Sequence, residues 1–246
     1  MKTVLITGGT KGIGKSIALK FAKNSYNLVL NYLNDDKNAE LFKNELETKY
    51  NVNVLLMKAD ISQEEDVINI LNTSINEFGN VDILINNAGI AIDTTLEDKT
   101  VDNFKRILDV NLIGPFLTSK YIGNKMFENK NGRIINISSN NSIDSYYPES
   151  MDYDASKAGL NILTKNFAKA YAPYVLVNAV AVEWTETDMN KEMDDDYKKD
   201  EENKILLKRF AKPEEIANVV YFLATESTYI NSTIIKVDGG IRWKKK

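Results

Sequence analysis

Short runs of apolar residues alternate along the chain with longer stretches in which apolar residues recur with the period of an α-helix. Runs that are apolar almost throughout are typical of parallel strands covered on both faces. The runs are VLIT (4–7), NLVLNY (27–32), NVLLM (53–57), VDILIN (81–86), RIINIS (133–138), VLVNAVAV (175–182) and TIIKV (233–237). Helical periodicity is clearest in GIGKSIALKFAKN, NAELFKNELETKY, EEDVINILNTSINEF and PEEIANVVYFLA.

This alternation predicts a doubly wound α/β fold, in which a parallel sheet of about seven strands carries helices on both faces. No repeat and no Pro/Ser-rich linker interrupts the series, so we expect one domain over residues 1–246. The stretch 190–204, NKEMDDDYKKDEENK, is dense in charge and poor in large apolar residues. We predict a mobile, partly helical surface segment there, within a substrate loop around 183–206.

The composition restricts the chemistry that the chain can perform. Its 246 residues include no cysteine and no histidine, which excludes disulfides, thiolate nucleophiles, Ser-His triads and the usual zinc sites. We therefore predict no metal site, and acid/base chemistry must use Tyr, Lys, Asp or Glu. The net charge of −4 argues against nucleic-acid partners. The sequence shows neither an apolar run of about 20 residues nor a secretory signal, so we expect a cytoplasmic protein without a membrane partner.

Four glycines follow the first predicted strand, at positions 8, 9, 12 and 14 of VLITGGTKGIGKSIA. Glycines at a strand-to-helix turn let the backbone approach a pyrophosphate, which then sits at the positive end of the helix. The spacing differs from G-x-G-x-x-G. It indicates either a dinucleotide site or only a tight turn, and its place at the first such turn favours the dinucleotide site.

The end of the second strand bears on the choice between NADH and NADPH. NAD sites usually carry an acid about 20 residues beyond the glycines, which holds the ribose 2′-hydroxyl. Here that position is Tyr32, and the first acid is Asp35. Lys11, inside the glycine turn, is placed to bind a 2′-phosphate. We therefore favour NADPH, while Asp35 and Asp36 leave NADH open.

Two further motifs close predicted strands, ADIS (59–62) after the third and NNAG (86–89) after the fourth. Ligands of open α/β sheets bind outside the carboxyl ends of the strands. Asp60 of the first motif could accept a hydrogen bond from the adenine amino group. Each motif taken alone is equally typical of a capped strand–loop junction.

Tyr153 and Lys157 stand four residues apart in MDYDASKAG (151–159), which we predict to be helical. Residues at this spacing share a helix face, so the phenol and the ammonium can meet. A nearby cation lowers the pKa of a tyrosine from about 10, which would suit a general acid/base. An ordinary surface pair is the alternative that this motif alone leaves open.

Several motifs occur in the order in which the short-chain dehydrogenase/reductase family carries them: TGGTKGIG, ADIS, NNAG, VNLIG (110–114), INISS (135–139) and YDASKAG (153–159). The chain resembles that family along its whole length. Within the family, LLKRFAKPEEIANVVYFLA and VDGG resemble the 3-oxoacyl-[acyl-carrier-protein] reductase branch. The resemblance implies a Rossmann-type parallel sheet, hydride transfer between a nicotinamide and a carbonyl or alcohol, and usually a homotetramer.

The resemblance also implies the roles of four catalytic residues, Asn111, Ser139, Tyr153 and Lys157. Ser139 would hydrogen-bond the substrate oxygen, and Tyr153 would give that oxygen a proton. Lys157 would lower the tyrosine pKa and bind the nicotinamide ribose. Asn111, at a helix interruption, would hold a water that links Lys157 to solvent. The cofactor contacts are predicted at Gly8, Thr10, Lys11, Gly12, Ile13, Gly14, Asn31, Tyr32, Asp60, Ile61, Asn87, Ala88, Gly89, Val110, Tyr153, Lys157, Val182 and Thr187.

Three features depart from the family pattern. The interval between Ser139 and Tyr153 is one residue longer than usual, and AYAPYVLVN lacks the arginine with which carrier-protein reductases meet their acidic carrier. Val182-Glu183 replaces the usual Pro-Gly. Glutamate adopts positive φ only at a cost of about 1–2 kcal/mol, so we predict that the loop takes a new path. The Glu183 carboxylate would then point to solvent or to the substrate entrance and disfavour anionic substrates. Drift in a tolerant loop is the alternative.

These patterns predict an NADPH-dependent oxidoreductase that reduces a carbonyl, in a 3-oxoacyl thioester or a related ketone, to a secondary alcohol with Tyr153 as general acid. Two alternatives stay open: a dehydrogenase of a sugar or another small secondary alcohol, and a nicotinamide-binding sensor without turnover. It is also open whether an acyl carrier protein is a partner. Apolar helix faces within 104–127 and 156–171 predict a homotetramer or homodimer.

Overall fold

The computed structural model describes residues 1–144, 147–187, 190 and 193–241. The strands are β1 (Thr3–Ile6), β2 (Asn27–Tyr32), β3 (Val54–Lys58), β4 (Ile83–Asn86), β5 (Gly132–Ser139), β6 (Val175–Val182) and β7 (Ile234–Val237). Within the described residues these seven strands form one parallel sheet in the order β3-β2-β1-β4-β5-β6-β7. The direction of winding reverses between β1 and β4, which confirms the predicted doubly wound fold and places a ligand-binding crevice at that point.

Helices connect successive strands and cover both faces of the sheet. They are α1 (Gly12–Ala22), α2 (Asp36–Tyr50), α3 (Glu64–Phe78), α4 (Val101–Leu108), α5 (Gly114–Glu128), α6 (Met151–Tyr171), α7 (Asp195–Lys204) and α8 (Pro213–Thr225). A π-helical segment, Asp109–Ile113, joins α4 to α5. No described helix combines the length and the apolarity that a bilayer span requires.

Successive residues of the central strands face opposite sides of the sheet, and both sides are buried. Val4 and Ile6 of β1 belong to one core cluster, together with Phe21 of α1. Leu5, between them, belongs to the cluster on the other face, together with Ile122 of α5. This arrangement explains why the strands read as continuous apolar runs rather than as alternating patterns.

Element bounds agree closely with the sequence pattern, and caps account for part of the difference. Each observed strand starts and ends within two residues of its predicted bounds. The helix α2 begins earlier than its apolar periodicity indicates. Asp35 precedes it and accepts a hydrogen bond from the backbone N–H of Asn38 at 3.3 Å, which satisfies a free donor of the first turn.

The charged stretch 190–204 is helical in part, as predicted, because α7 lies within it; residues 191 and 192 are outside the described ones. It is more than a surface segment. Glu201 of α7 is only 1% exposed, and its Oε2 accepts from the Tyr147 hydroxyl at 2.6 Å and from Trp184 Nε1 at 3.2 Å. Glu201 therefore anchors α7 to the loop before α6 and to the segment after β6.

Candidate active site

The turn from β1 into α1 is a backbone cradle that favours glycine. Gly8 and Gly12 adopt φ of +60° and +51°, in the left-handed region. A Cβ at Gly14 would collide with the carbonyl oxygen of Gly8. The first turn of α1 carries no acidic residue, and no side chain of the described residues caps it. Its free N–H groups and positive dipole end therefore fit the pyrophosphate of a dinucleotide.

Side chains from neighbouring strands hold this glycine turn in place. Asn87 Nδ2 donates to the carbonyl oxygens of Thr7 and Gly8, both at 3.0 Å. Asn31 is 2% exposed; its Nδ2 donates to the carbonyl oxygen of Ala59 at 2.9 Å, and its Oδ1 accepts from the N–H of Gly8 at 3.4 Å. The buried side-chain amide of Asn31 therefore positions the turn. The contact of Asn31 with the cofactor stays a prediction.

Lys11 and Asp35, which the sequence offered as alternative partners of the ribose, form an ion pair. Lys11 Nζ lies 2.8 Å from Asp35 Oδ2, and the two side chains are 55% and 28% exposed. The hydrogen bond from Lys11 holds the pKa of Asp35 down, at about 2. Tyr32, at the predicted ribose position, is the last residue of β2. This edge of the site therefore offers an accessible cation whose charge is offset by one carboxylate.

Asp60, the candidate partner of the adenine amino group, lies just after β3. Its Oδ1 accepts from the backbone N–H of Ser62 at 3.0 Å and from the Ser62 hydroxyl at 2.7 Å. Its Oδ2 pairs with Arg106 Nη2 of α4 at 3.0 Å. Ile61 follows and packs against Gly114, where a Cβ would lie 2.7 Å from it. The carboxylate is thus fixed in direction at the edge of the crevice.

Lys157 lies at the centre of the candidate site. It is 4% exposed, and its Nζ donates to the carbonyl oxygen of Ile137 in β5 at 2.9 Å. Nζ lies 5.6 Å from the centre of the Tyr153 ring. A Cβ at Gly89 would be 3.4 Å from Nζ, so the turn after β4 packs against the lysine side chain. The helix α6 therefore brings the phenol and the ammonium to one place beside two strand ends.

Ser139 and Asn111 complete the group. Ser139 ends β5; its hydroxyl lies close enough to the Tyr153 phenol to lower the pKa of that phenol, and it accepts a hydrogen bond from the backbone N–H of Asn141 at 3.2 Å. Asn111 is completely buried in the π-helical segment. Its Oδ1 accepts from the N–H of Ile90 at 2.9 Å and its Nδ2 donates to the carbonyl oxygen of Ile90 at 2.8 Å. Widened turns of this kind are frequent at functional sites.

Burial controls the protonation of the phenol and the ammonium. It raises the pKa of Tyr153 to about 12, although the nearby Ser139 hydroxyl acts in the opposite direction. It lowers the pKa of Lys157 to about 8. Removal from water is the main cause of the tyrosine shift, and Lys157 is not among its other causes, so the lowering of the tyrosine pKa by Lys157 stays a prediction. At neutral pH Tyr153 keeps its proton and Lys157 is mostly charged.

The segment after β6 contains the sharpest departure from the family pattern. Val182 pairs in register with Ser139, so its backbone borders the site. Glu183 is not among the described non-glycine residues with positive φ, and its backbone avoids the strain that a glycine conformation would cause. Thr187, further along, lies against the glycine turn, since its Cγ2 is 3.5 Å from where a Cβ would stand at Gly12.

The Glu183 carboxylate does not point to solvent, which corrects one of the two directions that we expected. It is largely buried, and this burial raises its pKa to about 7. The neighbouring Asn140 amide acts in the opposite direction. Trp184 stacks on Phe210, with ring centres 5.6 Å apart, and folds the chain back over this region. A buried carboxylate thus lies at the edge of the candidate site.

A buried ion pair that the sequence did not predict fixes the start of α6. Asp152 directly precedes Tyr153 and is completely buried. Its two carboxylate oxygens accept from Lys99 Nζ at 3.0 and 2.9 Å. Lys99 also donates to the carbonyl oxygen of Ile92 at 3.4 Å. The pair ties the helix that carries Tyr153 to the loop after β4, and no local sequence pattern links residues that lie 53 positions apart.

Comparison with known proteins finds relatives over nearly the whole chain. A family model described as Enoyl-(Acyl carrier protein) reductase matches residues 8–242. The 3-oxoacyl-[acyl-carrier-protein] reductase FabG of Aquifex aeolicus is 36% identical over 242 residues, which are 98% of this chain and 97% of that protein. Glucose 1-dehydrogenase 2 of Bacillus subtilis is 34% identical over an alignment of 253 residues, which covers 98% of this chain and 94% of the relative.

Solved structures give the same relationship. A short-chain dehydrogenase/reductase from Serratia marcescens matches with a TM-score of 0.91 and 29% identity, over 97% of each chain. Sheet order, glycine turn and sequence similarity therefore agree. This chain belongs to the short-chain dehydrogenase/reductase family and is an NAD(P)-dependent oxidoreductase.

Proposed function

We propose that this protein is an NADPH-dependent reductase that converts a carbonyl to a secondary alcohol, with Tyr153 as the general acid. The observation that carries the proposal is the grouping of Ser139, Tyr153 and Lys157 beside the turn after β4, which itself contacts the glycine turn. A hydroxyl, a phenol and an ammonium lie close together there, at the carboxyl ends of the strands. This set performs acid/base chemistry without the histidine that the chain lacks.

Each residue of the group has a separate task. The nicotinamide cofactor, when bound, supplies the hydride to the carbonyl carbon. The Ser139 hydroxyl holds the carbonyl oxygen, and the Tyr153 phenol donates its proton to that oxygen. Lys157 stabilises the resulting phenolate and binds the nicotinamide ribose. Asn111 keeps the π-helical segment against the Ile90 backbone, and we assign to it the water link between Lys157 and solvent.

The proposed cofactor contacts follow the carboxyl ends of the strands from the glycine turn to the segment after β6. Asn31, whose side-chain amide is bound by the backbone, also supports the glycine turn. The contacts are Gly8, Thr10, Lys11, Gly12, Ile13, Gly14, Asn31, Tyr32, Asp60, Ile61, Asn87, Ala88, Gly89, Val110, Tyr153, Lys157, Val182 and Thr187.

Lys11→Ala is expected to remove a preference for NADPH over NADH. A charge-assisted hydrogen bond to the 2′-phosphate contributes about 1.5–3 kcal/mol, so the wild type should bind NADPH at least about tenfold more tightly. Asp35 competes for the Lys11 ammonium at 2.8 Å, and Asp35→Asn should therefore increase the preference. Fluorescence titration with both nucleotides measures the ratio of the two dissociation constants.

The control for this experiment is Lys23→Ala, because Lys23 is an exposed lysine at the opposite end of α1. It should leave the ratio at the wild-type value. A wild type that binds NADH as tightly as NADPH, or an unchanged ratio in Lys11→Ala, would show that Lys11 does not select the 2′-phosphate.

For the substrate we propose a 3-oxoacyl thioester or a related ketone. The matching family model and the Aquifex aeolicus relative carry the names of acyl-carrier-protein reductases. The stretch AYAPYVLVN (170–178) contains no arginine, which argues against direct recognition of an acidic carrier protein. Turnover of a small 3-oxoacyl thioester with NADPH tests this candidate without requiring the carrier.

A dehydrogenase of a sugar or another small secondary alcohol is the second candidate. The observation that favours it is the buried Glu183 carboxylate, whose negative charge raises the pKa of Tyr153 and which therefore lies near the proton donor. A carboxylate in this position suits neutral, hydroxyl-bearing substrates better than phosphorylated thioesters. The relative from Bacillus subtilis is named glucose 1-dehydrogenase 2. Oxidation of sugars with NADP⁺, compared with reduction of 3-oxoacyl thioesters, separates the two candidates.

A homodimer or homotetramer is the proposed assembly, and Phe116→Glu is expected to dissociate it. Ile113, Phe116 and Ile162, on the helix faces that the sequence singled out, are 40%, 37% and 56% exposed. Burial of apolar surface contributes about 25 cal/mol per Å², and a buried glutamate would oppose it. Light scattering at micromolar concentration should show a dimer or tetramer for the wild type. Leu41→Glu on α2 is the control, and a monomeric wild type would contradict this assembly.

We also propose that the chain acts as one domain in the cytoplasm, on a small molecule. Its net charge of −4 gives no support for a nucleic-acid partner. The segment 183–206, which includes α7 and the Glu201 anchor, would shape the entrance for the substrate. Its mobility stays a prediction.

A further inference from the structure

Two polar side chains next to the catalytic group lack regular hydrogen-bond partners. Asn140 is completely buried, and neither its Nδ2 nor its Oδ1 has a partner within the described part of the chain. Glu183 Oε2 is also buried without one there. The Asn140 amide lies close enough to act on the Glu183 carboxylate, but their contact lacks regular hydrogen-bond geometry. Since buried polar groups are nearly always paired, a donor and acceptors left unpaired side by side indicate a binding role.

Both residues follow the carboxyl ends of neighbouring strands, where the candidate active site lies. Asn140 comes directly after Ser139, and Glu183 comes directly after Val182, which pairs in register with Ser139. Burial is the main cause of the raised pKa of Tyr153, and the charge of Glu183 adds to it. A group held between Asn140 and Glu183 would therefore lie beside the proton donor.

A cavity next to Glu183 has room for a small group, although Asn140 and the catalytic residues do not line it. Glu183 borders a cavity of about 80 Å³, while a single water needs only about 15 Å³. The lining also includes Asp238, Glu215 and Arg209. Arg209 donates to both carboxylate oxygens of Glu215 at 2.7 Å, so its charge is already offset. Asp238 pairs with Lys236 at 2.9 Å, so Glu183 is, among the described residues, the carboxylate of this lining without an ion pair, and its charge opposes an anionic substituent here.

We propose that Asn140 and Glu183 bind a hydroxyl group that the substrate carries on the carbon next to the reacting one. This inference rests on the proposed carbonyl and alcohol chemistry and adds a substrate class to it: neutral 1,2-diols and the corresponding 2-hydroxyketones. It favours the second candidate, the dehydrogenase of a sugar or another small secondary alcohol, because the carbons next to the reacting one in a 3-oxoacyl thioester carry no hydroxyl. A hydroxyl both donates and accepts. It donates to Glu183 Oε2 and accepts from Asn140 Nδ2, and so pairs both groups at once.

An alkyl chain in the same position would leave both side chains unpaired. Sites built to hydrogen-bond a hydroxyl of the substrate reject analogues that lack it, because their own buried polar groups then have no partner. The hydroxyl pair, as we call Asn140 and Glu183, therefore selects substrates by their second oxygen function. The raised pKa of Glu183, about 7 and caused mainly by burial, fits a site that takes neutral groups.

The test compares the binding of trans-1,2-cyclohexanediol and cyclohexanol to the enzyme saturated with NADPH, which cannot oxidise either alcohol. Calorimetric titration of the wild type should give a dissociation constant about three- to tenfold lower for the diol, as expected for one or two neutral hydrogen bonds. Asn140→Leu and Glu183→Leu keep the bulk but lose the polar atoms, and each should reduce or abolish the difference. Glu183→Gln keeps an acceptor and should retain it. Glu77→Ala, which removes an exposed carboxylate of α3 far from the candidate site in the chain, is the control.

Equal affinities of the wild type for the two alcohols, or no binding of either, would overturn the hydroxyl pair whether or not the leucine variants fold. A diol preference that persists in both leucine variants, with wild-type circular dichroism, would also overturn it. Failure of the proposed function would look different. Tyr153→Phe should keep the diol preference in binding, so an enzyme that prefers the diol but turns over no alcohol or ketone would refute the catalysis alone.

Discussion

Replacement of Tyr153 by phenylalanine is expected to lower kcat by a factor of about 10² to 10⁴, the usual contribution of a general acid. The phenol lies near the Ser139 hydroxyl and keeps its proton at neutral pH, because burial raises its pKa to about 12. Phenylalanine preserves the ring, so the fold and the affinity for NADPH should change little. Steady-state kinetics with a carbonyl substrate and fluorescence titration with NADPH measure the two effects separately.

Tyr229→Phe is the matched control, because the Tyr229 side chain is fully exposed, at 100%. It should keep the kcat of the wild type. If Tyr153→Phe retained more than about a tenth of wild-type turnover, the loss would be smaller than the smallest usual contribution of a general acid. Another group would then have to deliver the proton.

Replacement of Lys157 by methionine is expected to lower kcat by at least about 10²-fold and to weaken NADPH binding as well. Methionine fills similar space but removes the ammonium that lies 5.6 Å from the centre of the Tyr153 ring. The phenolate left after proton transfer would then lose its cation, and the ribose would lose a charged donor. A charge-assisted hydrogen bond contributes about 1.5–3 kcal/mol, which predicts at least about a tenfold weaker complex.

The loss of binding distinguishes Lys157 from Tyr153, since only the lysine has a second task. Lys169→Met, at an exposed position of the same helix, serves as the control and should leave kcat and NADPH affinity unchanged. A Lys157→Met protein that binds NADPH like the wild type would mean that the lysine does not hold the ribose.

The fold was predictable because its signals are local and repeated. Each strand is buried on both faces and therefore reads as a continuous apolar run. The observed β2 and β6 occupy the predicted residues, and so does α3. The turn of glycines between β1 and α1 was equally visible, because a side chain at Gly14 would meet the Gly8 carbonyl oxygen. Backbone geometry of this kind restricts which residue types can occupy these positions, so it can be predicted from the sequence.

The ion pairs around the candidate site were not predictable in the same way. Arg106 meets Asp60 from 46 residues away, and Lys99 meets Asp152 from 53 residues away. The sequence contains all four residues, but their pairing depends on which helix the winding order places above which strand. Only the three-dimensional arrangement decides it.

Burial determines two properties of the candidate site that the sequence pattern does not show. The i, i+4 spacing of Tyr153 and Lys157 suggested that the cation would lower the tyrosine pKa, whereas desolvation raises it to about 12. Of the two directions expected for the Glu183 carboxylate, the structure excludes solvent, since Glu183 is largely buried, with Asn140 beside it. Neither effect has a sequence signal, because desolvation depends on distant segments that fold over the site.

The central claim, carbonyl reduction by NADPH with Tyr153 as the proton donor, is tested most directly by a depletion assay. NADPH absorbance is followed with the wild type and with Tyr153→Phe, against 3-oxoacyl thioesters, diketones, quinones and sugars in their carbonyl forms. We predict that the wild type oxidises NADPH with at least one of these classes, forming the alcohol, and that Tyr153→Phe is slower by about 10² to 10⁴-fold. Tight binding of NADPH without turnover of any class would contradict the claim and favour a nicotinamide sensor, and equal rates for the two proteins would contradict the role of Tyr153.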